Sequence, residues 1–118
     1  MNTPIELQKW YFVQCNEEWE HHNGINIETL DNPGWKVTID LHQTSLEHAE
    51  FKPVMKNVSK KFYEQAVGEI KPPFICEEPI SKDWLLCFVK DGPFDGAGAP
   101  ARLEEILTIF LNWVKNRE

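Results

Sequence analysis

Apolar side chains recur at helical spacing near the start of the chain. Six of them share one broad face of a helix over residues 3–22 when successive residues are set about 100° apart: Ile5, Leu7, Tyr11, Phe12, Cys15 and Trp19. Trp10 and Val13 fall outside this face. Asn23-Gly24 suits the end of such a helix. The pattern therefore predicts an N-terminal helix that buries this face.

A second helical pattern lies near the end of the sequence. Within residues 102–116 the apolar positions form a continuous stripe: Leu103, Ile106, Leu107, Phe110, Trp113 and Val114. Glu104 and Glu105 occupy its first turn, and Lys115 and Arg117 lie at its end. Acidic residues at the start of a helix and basic residues at its end interact favourably with the helix dipole, so this segment is predicted to be a helix.

Between the helices, two short segments alternate apolar and polar residues as half-buried strands do. They read INIETL over residues 25–30 and WKVTIDL over residues 35–41. Residues 31–34 join them, and Pro33-Gly34 suits the central positions of a type II turn. The segments are predicted to form an antiparallel hairpin.

Two further strands are predicted. Residues 51–58 suit an edge position, because Pro53 cannot donate to a ladder and the lysines prefer solvent. Residues 84–89, WLLCFV, are apolar on both faces, as expected of a central strand. The glycine-rich residues 92–100 are interpreted as a tight turn that leads into the last helix. The order α-β-β-β-β-α predicts an α+β fold: a small antiparallel sheet of about four strands with the N-terminal and C-terminal helices packed on it.

The chain has 118 residues, of which 42% are hydrophobic, so residues 1–118 are expected to form a single domain. Residues 59–82 contain Gly68 and three prolines between the predicted strands. We interpret this segment as an inserted loop.

Charge and cysteine content indicate the compartment and the partners. There is no signal-peptide pattern, no apolar run of membrane length and no C-x-x-C spacing among Cys15, Cys76 and Cys87, so we expect a cytoplasmic protein with reduced thiols. The net charge is −7, and residues 15–50 hold eight acids and one base. This charge opposes binding to nucleic acid or to an anionic membrane and favours a basic partner.

The nine residues 16–24, NEEWEHHNG, raise the question of a chemical site. Adjacent His21 and His22 would point about 100° apart on a helix, whereas helical zinc sites use an i, i+4 pair of histidines. General acid/base catalysis is chemically possible, because imidazole titrates near neutrality. No G-x-S-x-G or P-loop motif accompanies these residues. We therefore expect no metal, no cofactor and no catalytic residue.

The carboxylates of this segment break a local rule of helix electrostatics. Glu17, Glu18 and Glu20 would lie in the last turns of the predicted helix 3–22, where the dipole disfavours negative charge. Departures of this kind often mark function. We interpret the acidic end as a surface for a partner.

Three stretches carry a family resemblance. The longest is W-E-H-x-x-G-I-x-I-E-T-L-D-N-P-G-W-x-V-x-I-D-L over residues 19–41, preceded by L-Q-K-W-Y over residues 7–11. The third, within residues 83–113, comprises D-W, F-x-G-A-G, L-E-E-I-L and F-L-x-W. Together they resemble the immunity protein 53 family of bacterial polymorphic toxin systems. Ala99, which stands before the proline, and the insertion 59–82 depart from the family pattern.

The resemblance implies a non-enzymatic immunity protein that binds and neutralises a cognate toxin domain. The acidic character suggests that the toxin surface is basic, and the predicted contact residues are Glu17, Glu18, Glu20, His21, Asp31 and Asn32. Trp19, Gly34 and Trp35 are expected to build the scaffold. Two alternatives remain open: a small metal-dependent or acid/base hydrolase that uses the glutamates with His21 and His22, and an interaction module for a partner other than a toxin.

Overall fold

The protein folds as α+β in a computed structural model that describes residues 2–31, 33–58 and 83–117. The predicted contact residue Asn32 and the predicted insertion 59–82 lie outside the described residues. The helices and strands, in chain order, are α1 Thr3–Gln14, α2 Trp19–His22, β1 Ile25–Leu30, β2 Gly34–Ile39, β3 Val54–Lys56, β4 Leu85–Val89, β5 Phe94–Gly98 and α3 Leu103–Arg117. The predicted fold class is confirmed, with five strands rather than about four.

The strands form one antiparallel sheet in the order β1-β2-β5-β4-β3. The predicted hairpin is present, since Ile25 pairs with Ile39 and Leu30 pairs with Gly34. Val37 and Ile39, on the face predicted to be buried, are fully buried. The short β3 lies at an edge and β4 lies inside the sheet, as the proline and the apolar run predict.

The glycine-rich segment 92–100 is not the tight turn expected, because its residues Phe94–Gly98 form the central strand β5. Glycine and alanine have low strand propensity, so the sequence pattern hides this strand. Its glycines serve close packing instead: a Cβ on Gly96 would overlap the side chain of Ile106, and one on Gly98 would lie 2.9 Å from the Cβ of Arg102. The missing side chains let α3 lie directly against the middle of the sheet.

The single helix predicted over residues 3–22 is also wrong, because α1 ends at Gln14 and α2 begins at Trp19. Between them the backbone of Glu17 has a φ of 75°, which no right-handed helix accommodates. The break puts Trp19 out of phase with α1. As a result α1 buries Leu7 and Trp10, whereas Phe12, assigned from sequence to the buried face, is exposed.

Aromatic side chains join the two long helices to the sheet. Phe110 of α3 makes an edge-to-face contact with Trp10 at 5.0 Å between ring centroids and lies 5.2 Å from Phe94 of β5. Phe51 contacts Trp113 at 4.9 Å, and the indole N–H of Trp113 donates to the carbonyl oxygen of Glu50 at 3.0 Å. Such ring pairs add roughly 0.5–1.5 kcal/mol each beyond the area that they bury.

Replacement of Gly96 by alanine should destabilise the protein. The new methyl group would push against Ile106 at the centre of the helix–sheet contact, and overpacking of this kind costs about 1–3 kcal/mol. Gly24→Ala is the matched control, because a Cβ at Gly24 meets no atom within 4 Å. Urea denaturation of both variants measures the difference; equal free energies of unfolding would contradict the close approach of α3.

Candidate partner-binding surface

Residues 15–18 form a sharp elbow between α1 and α2 whose backbone is held by side chains. The side-chain oxygen of Asn16 accepts hydrogen bonds from the N–H groups of Glu18 and Trp19, at 3.0 and 2.7 Å. The carboxylate of Glu20 accepts from the N–H groups of Asn16 and Glu17, at 2.9 and 2.8 Å. These bonds satisfy donors that the helix break would otherwise leave unpaired.

The elbow changes the electrostatic interpretation of the glutamates. Glu20 lies in the first turn of α2 and His21 and His22 lie in its last turn, so the charges no longer oppose a helix dipole. Backbone N–H groups of Glu20 itself and then of Asn16 and Glu17 hold the pKa of the Glu20 carboxyl below its usual range, with help from His21. The unfavourable position predicted for Glu20 at a helix C-terminus is therefore wrong, and Glu20 has a structural role in shaping the elbow.

Trp19 fixes the elbow to the rest of the molecule. Its side chain is 2% exposed, and its indole N–H donates to the carbonyl oxygen of His42 at 2.7 Å. Its ring makes edge-to-face contacts with Trp10 and Tyr11, at 6.2 and 6.0 Å. The elbow is thus anchored while Glu17, Glu18 and His21 stay exposed on its outer side.

The segment 40–49 lies beside the elbow and extends its charged surface. The N–H of Gly24 donates to the carboxylate of Asp40 at 2.8 Å. The carboxylate of Glu47 lies 2.6 Å from Nδ1 of His42 and 3.5 Å from Nε2 of His48. The backbone N–H of Gln43 is the main cause of a lowered pKa of Glu47, and His42 adds to it. Asp40 and Glu47 belong to the acidic stretch counted in the sequence, but only the fold shows that they adjoin the elbow.

Not all of the predicted contact residues come together. Glu17 and Glu18 lie in the elbow and Glu20 and His21 in the adjoining α2, whereas exposed Asp31 follows the far end of β1. A six-residue strand is about 17 Å long, so Asp31 is separated from the elbow by roughly that distance. The scaffold residues lie inward: Trp35 donates its indole N–H to the carbonyl oxygen of Pro100 at 2.9 Å, and a Cβ on buried Gly34 would overlap the backbone oxygen of Gly98.

The described residues offer little for metal or thiol chemistry. Over residues 2–31, 33–58 and 83–117, no group of three or more His, Cys, Asp or Glu side chains is placed to hold a metal ion. Burial raises the pKa of the Cys87 thiol to about 12, and the charge of Glu105 adds to the shift. Cys15 donates its thiol to the carbonyl oxygen of Tyr11 at 3.4 Å. Cys87 is thus a neutral core residue at physiological pH.

One half-buried carboxylate lies on the sheet face opposite the long helices. Asp95 of β5 pairs in register with Thr38 of β2, which donates a hydrogen bond to it. Burial raises the pKa of Asp95, and nearby Asp40 raises it further, while Lys36 and Thr38 act in the other direction. The sequence pattern missed this residue because it placed Asp95 in a turn.

The family model for Immunity protein 53 matches residues 5–115 of the 118 residues. The chain belongs to the immunity protein 53 family. No curated protein and no solved structure matches the chain.

The immunity protein 53 match includes the elbow, all five strands and all of α3 up to residue 115. The resemblance noted from the sequence is therefore confirmed. Among the helices that the structure describes, none combines the length and the apolar character that crossing a membrane requires.

Replacement of Glu20 by glutamine should lower the stability of this immunity protein 53 family member near pH 7, because the charged acceptor of the elbow N–H groups is lost. The matched control is Glu17→Gln, which changes an exposed carboxylate of the same elbow. Because the folded-state pKa of Glu20 is lowered, its stabilising effect is present above the unfolded-state pKa and disappears as the pH falls through the folded-state pKa.

Urea unfolding of wild type and both variants at a series of pH values from 7 down to about 3 checks this. The Glu20→Gln difference should shrink toward acid pH, and the Glu17→Gln difference should stay small throughout. A Glu20→Gln variant as stable as wild type at pH 7 would contradict the capping role.

Proposed function

We propose that the protein is an immunity protein that binds a cognate toxin domain in the cytoplasm of the producing cell and neutralises it without catalysis. Membership of the immunity protein 53 family is the observation that carries the proposal. The exposed acidic elbow supports it, because Glu17 and Glu18 are held outward by a backbone that Asn16 and Glu20 fix in place.

The charge distribution suggests how the toxin is attracted. The net charge of −7 and the proximity of Glu17, Glu18, Asp40 and Glu47 favour a negative potential around the elbow. Such fields steer a basic partner and raise association rates by roughly 10–10³-fold. The toxin surface that meets the elbow is therefore proposed to be rich in lysine and arginine.

The predicted contact residues take different parts in this proposal. Glu17, Glu18 and His21 are exposed and meet the toxin directly, whereas Glu20 keeps the elbow in shape. Asp31, at the far end of β1, contributes only if the toxin also covers the outer surface of the β1–β2 hairpin. The hydrolase alternative finds less support, because His21 and His22 are exposed on α2 and no group of three or more His, Cys, Asp or Glu side chains in the described residues is placed to hold a metal ion.

Co-expression tests the proposal directly. The product of the reading frame immediately upstream should be toxic alone, and this protein should relieve the toxicity and co-purify with it. Toxicity that persists despite expression of folded protein would contradict the proposal. Relief of toxicity without a complex would favour the hydrolase alternative, and a stable complex with a non-toxic product would favour the interaction module.

Charge reversal at the elbow tests the steering surface. Glu17→Lys and Glu18→Lys, singly and together, should slow association with the toxin by about tenfold or more at low salt, with a smaller effect at high salt. The fold should survive, since both side chains are exposed. Glu50→Lys is the matched control, because it makes the same charge change at an exposed glutamate outside the elbow. Stopped-flow or surface-based kinetics measure the rates; an unchanged association rate at low salt would remove the elbow from the interface.

A further inference from the structure

An open apolar groove runs between α1, β1 and α3. Its volume is about 580 Å³. All three elements contribute to its lining, which includes Pro4, Leu7 and Tyr11 on α1, Ile25 and Ile27 on β1, and Leu103 on α3. Because β1 lies at one edge of the sheet, no described strand covers the groove on that side.

The outer rim of the groove is apolar where a surface helix is normally polar. Gln8 of α1 lines the groove. Ile5 precedes Gln8 by three residues and Phe12 follows it by four, so both side chains are neighbours of Gln8 on the helix surface. Ile5 is 49% exposed and Phe12 is 77% exposed. On the opposite side of the groove, Ile27 is 40% exposed. Single exposed apolar residues are ordinary, but three around one groove mark an interaction surface.

The packing of α1 gives no reason for these side chains. The helix already buries Leu7 and Trp10 against the core, and Trp10 meets Phe110 of α3 at 5.0 Å. A helix on a protein surface keeps its outer face polar, because exposed apolar side chains gain nothing from folding. Ile5 and Phe12 therefore have no packing role that the described residues 2–31, 33–58 and 83–117 account for.

The groove adjoins the acidic elbow through Tyr11. This side chain lines the groove and also makes an edge-to-face contact with Trp19 at 6.0 Å, while its carbonyl oxygen accepts the thiol of Cys15. The groove therefore lies next to the side chain that anchors α2, so one partner is able to contact both the groove and the exposed Glu17 and Glu18.

The charges near the groove indicate the chemistry of the occupant. Residues 2–31, which include α1, the elbow and β1, contain one basic side chain other than histidine, Lys9, which lies 3.6 Å from the carboxylate of Glu6. The same residues contain six acids: Glu6, Glu17, Glu18, Glu20, Glu28 and Asp31. A second copy of the chain would bring like charges together, whereas a basic partner is attracted.

We propose that this groove, with its rim of Ile5, Phe12 and Ile27, is the apolar anchor site for the toxin domain. It takes apolar side chains that lysine or arginine residues flank on the toxin. The inference rests on the proposed function and deepens it: the elbow attracts the toxin and the groove holds it. Anchors of this type are the few central side chains that dominate an interface, with charged residues at its rim.

Polar substitutions at the rim test the groove with the purified toxin domain from the upstream reading frame as the probe. Phe12→Ser and Ile27→Thr should each accelerate dissociation by about tenfold or more and leave the association rate nearly unchanged. This is the reverse of the pattern expected for charge reversal at the elbow, so the two surfaces are separable by kinetics. Thermal unfolding confirms that the variants fold, since both side chains are exposed.

Two exposed apolar residues away from the groove serve as matched controls. Val13 is 76% exposed but points about 100° further around α1 than Phe12, on the side away from Gln8. Met55 is 47% exposed on β3, at the opposite edge of the sheet. Val13→Ser and Met55→Thr should leave dissociation unchanged.

Each result supports or overturns the inference. Rim variants that dissociate like wild type, or controls that dissociate as fast as the rim variants, overturn it while the binding of wild type still upholds the proposed function. If wild type does not bind the toxin at all, the proposed function and this inference both fall. Sedimentation of wild type alone completes the test: a dimer that Phe12→Ser dissociates would assign the groove to a second copy and overturn the toxin as its occupant.

Discussion

The close contact between α3 and β5 determines much of the remaining architecture. Gly96 has no side chain to keep Ile106 away, so α3 lies directly over the central strand. This position puts Phe110 against Phe94 beneath it and against Trp10 beside it. Trp10 in turn sets the rotation of α1, and that rotation leaves Phe12 on the outer side of the helix. Packing at the centre of the sheet thereby decides which residues reach the surface at its edge.

Part of this fold is predictable from the sequence, because the hydrophobic periodicity of some segments is regular. The alternation in β2 predicts that Val37 and Ile39 are buried, and the stripe of α3 survives over four turns without a break. Segment 84–89 is apolar on both faces and does form an interior strand. In these segments local propensity and tertiary packing agree.

The errors have specific physical causes. A helical face that includes Trp19 places Phe12 on the buried side, but a left-handed backbone at Glu17 separates Trp19 from α1. The sequence pattern does not indicate β5, because its glycines are not typical of a strand. Gly96 and Gly98 are needed for the close approach of α3, and local periodicity gives no information on such a tertiary contact. Asp31 and the elbow were grouped by charge, although the length of β1 keeps them apart. The composition predicts that the candidate surface is acidic. Its shape depends on the backbone N–H groups that donate to the side chains of Asn16 and Glu20, and composition does not predict these hydrogen bonds.

Those caps also have a thermodynamic consequence for recognition. A loop that must be ordered on binding loses conformational entropy at that moment, and the loss reduces affinity. In this protein the hydrogen bonds that the side chains of Asn16 and Glu20 accept, and the bond that Trp19 donates to the carbonyl oxygen of His42, have already ordered the backbone that carries Glu17 and Glu18. The ordering cost is met when the chain folds, so the elbow offers its carboxylates as a preorganised surface whose entropy changes little in a complex.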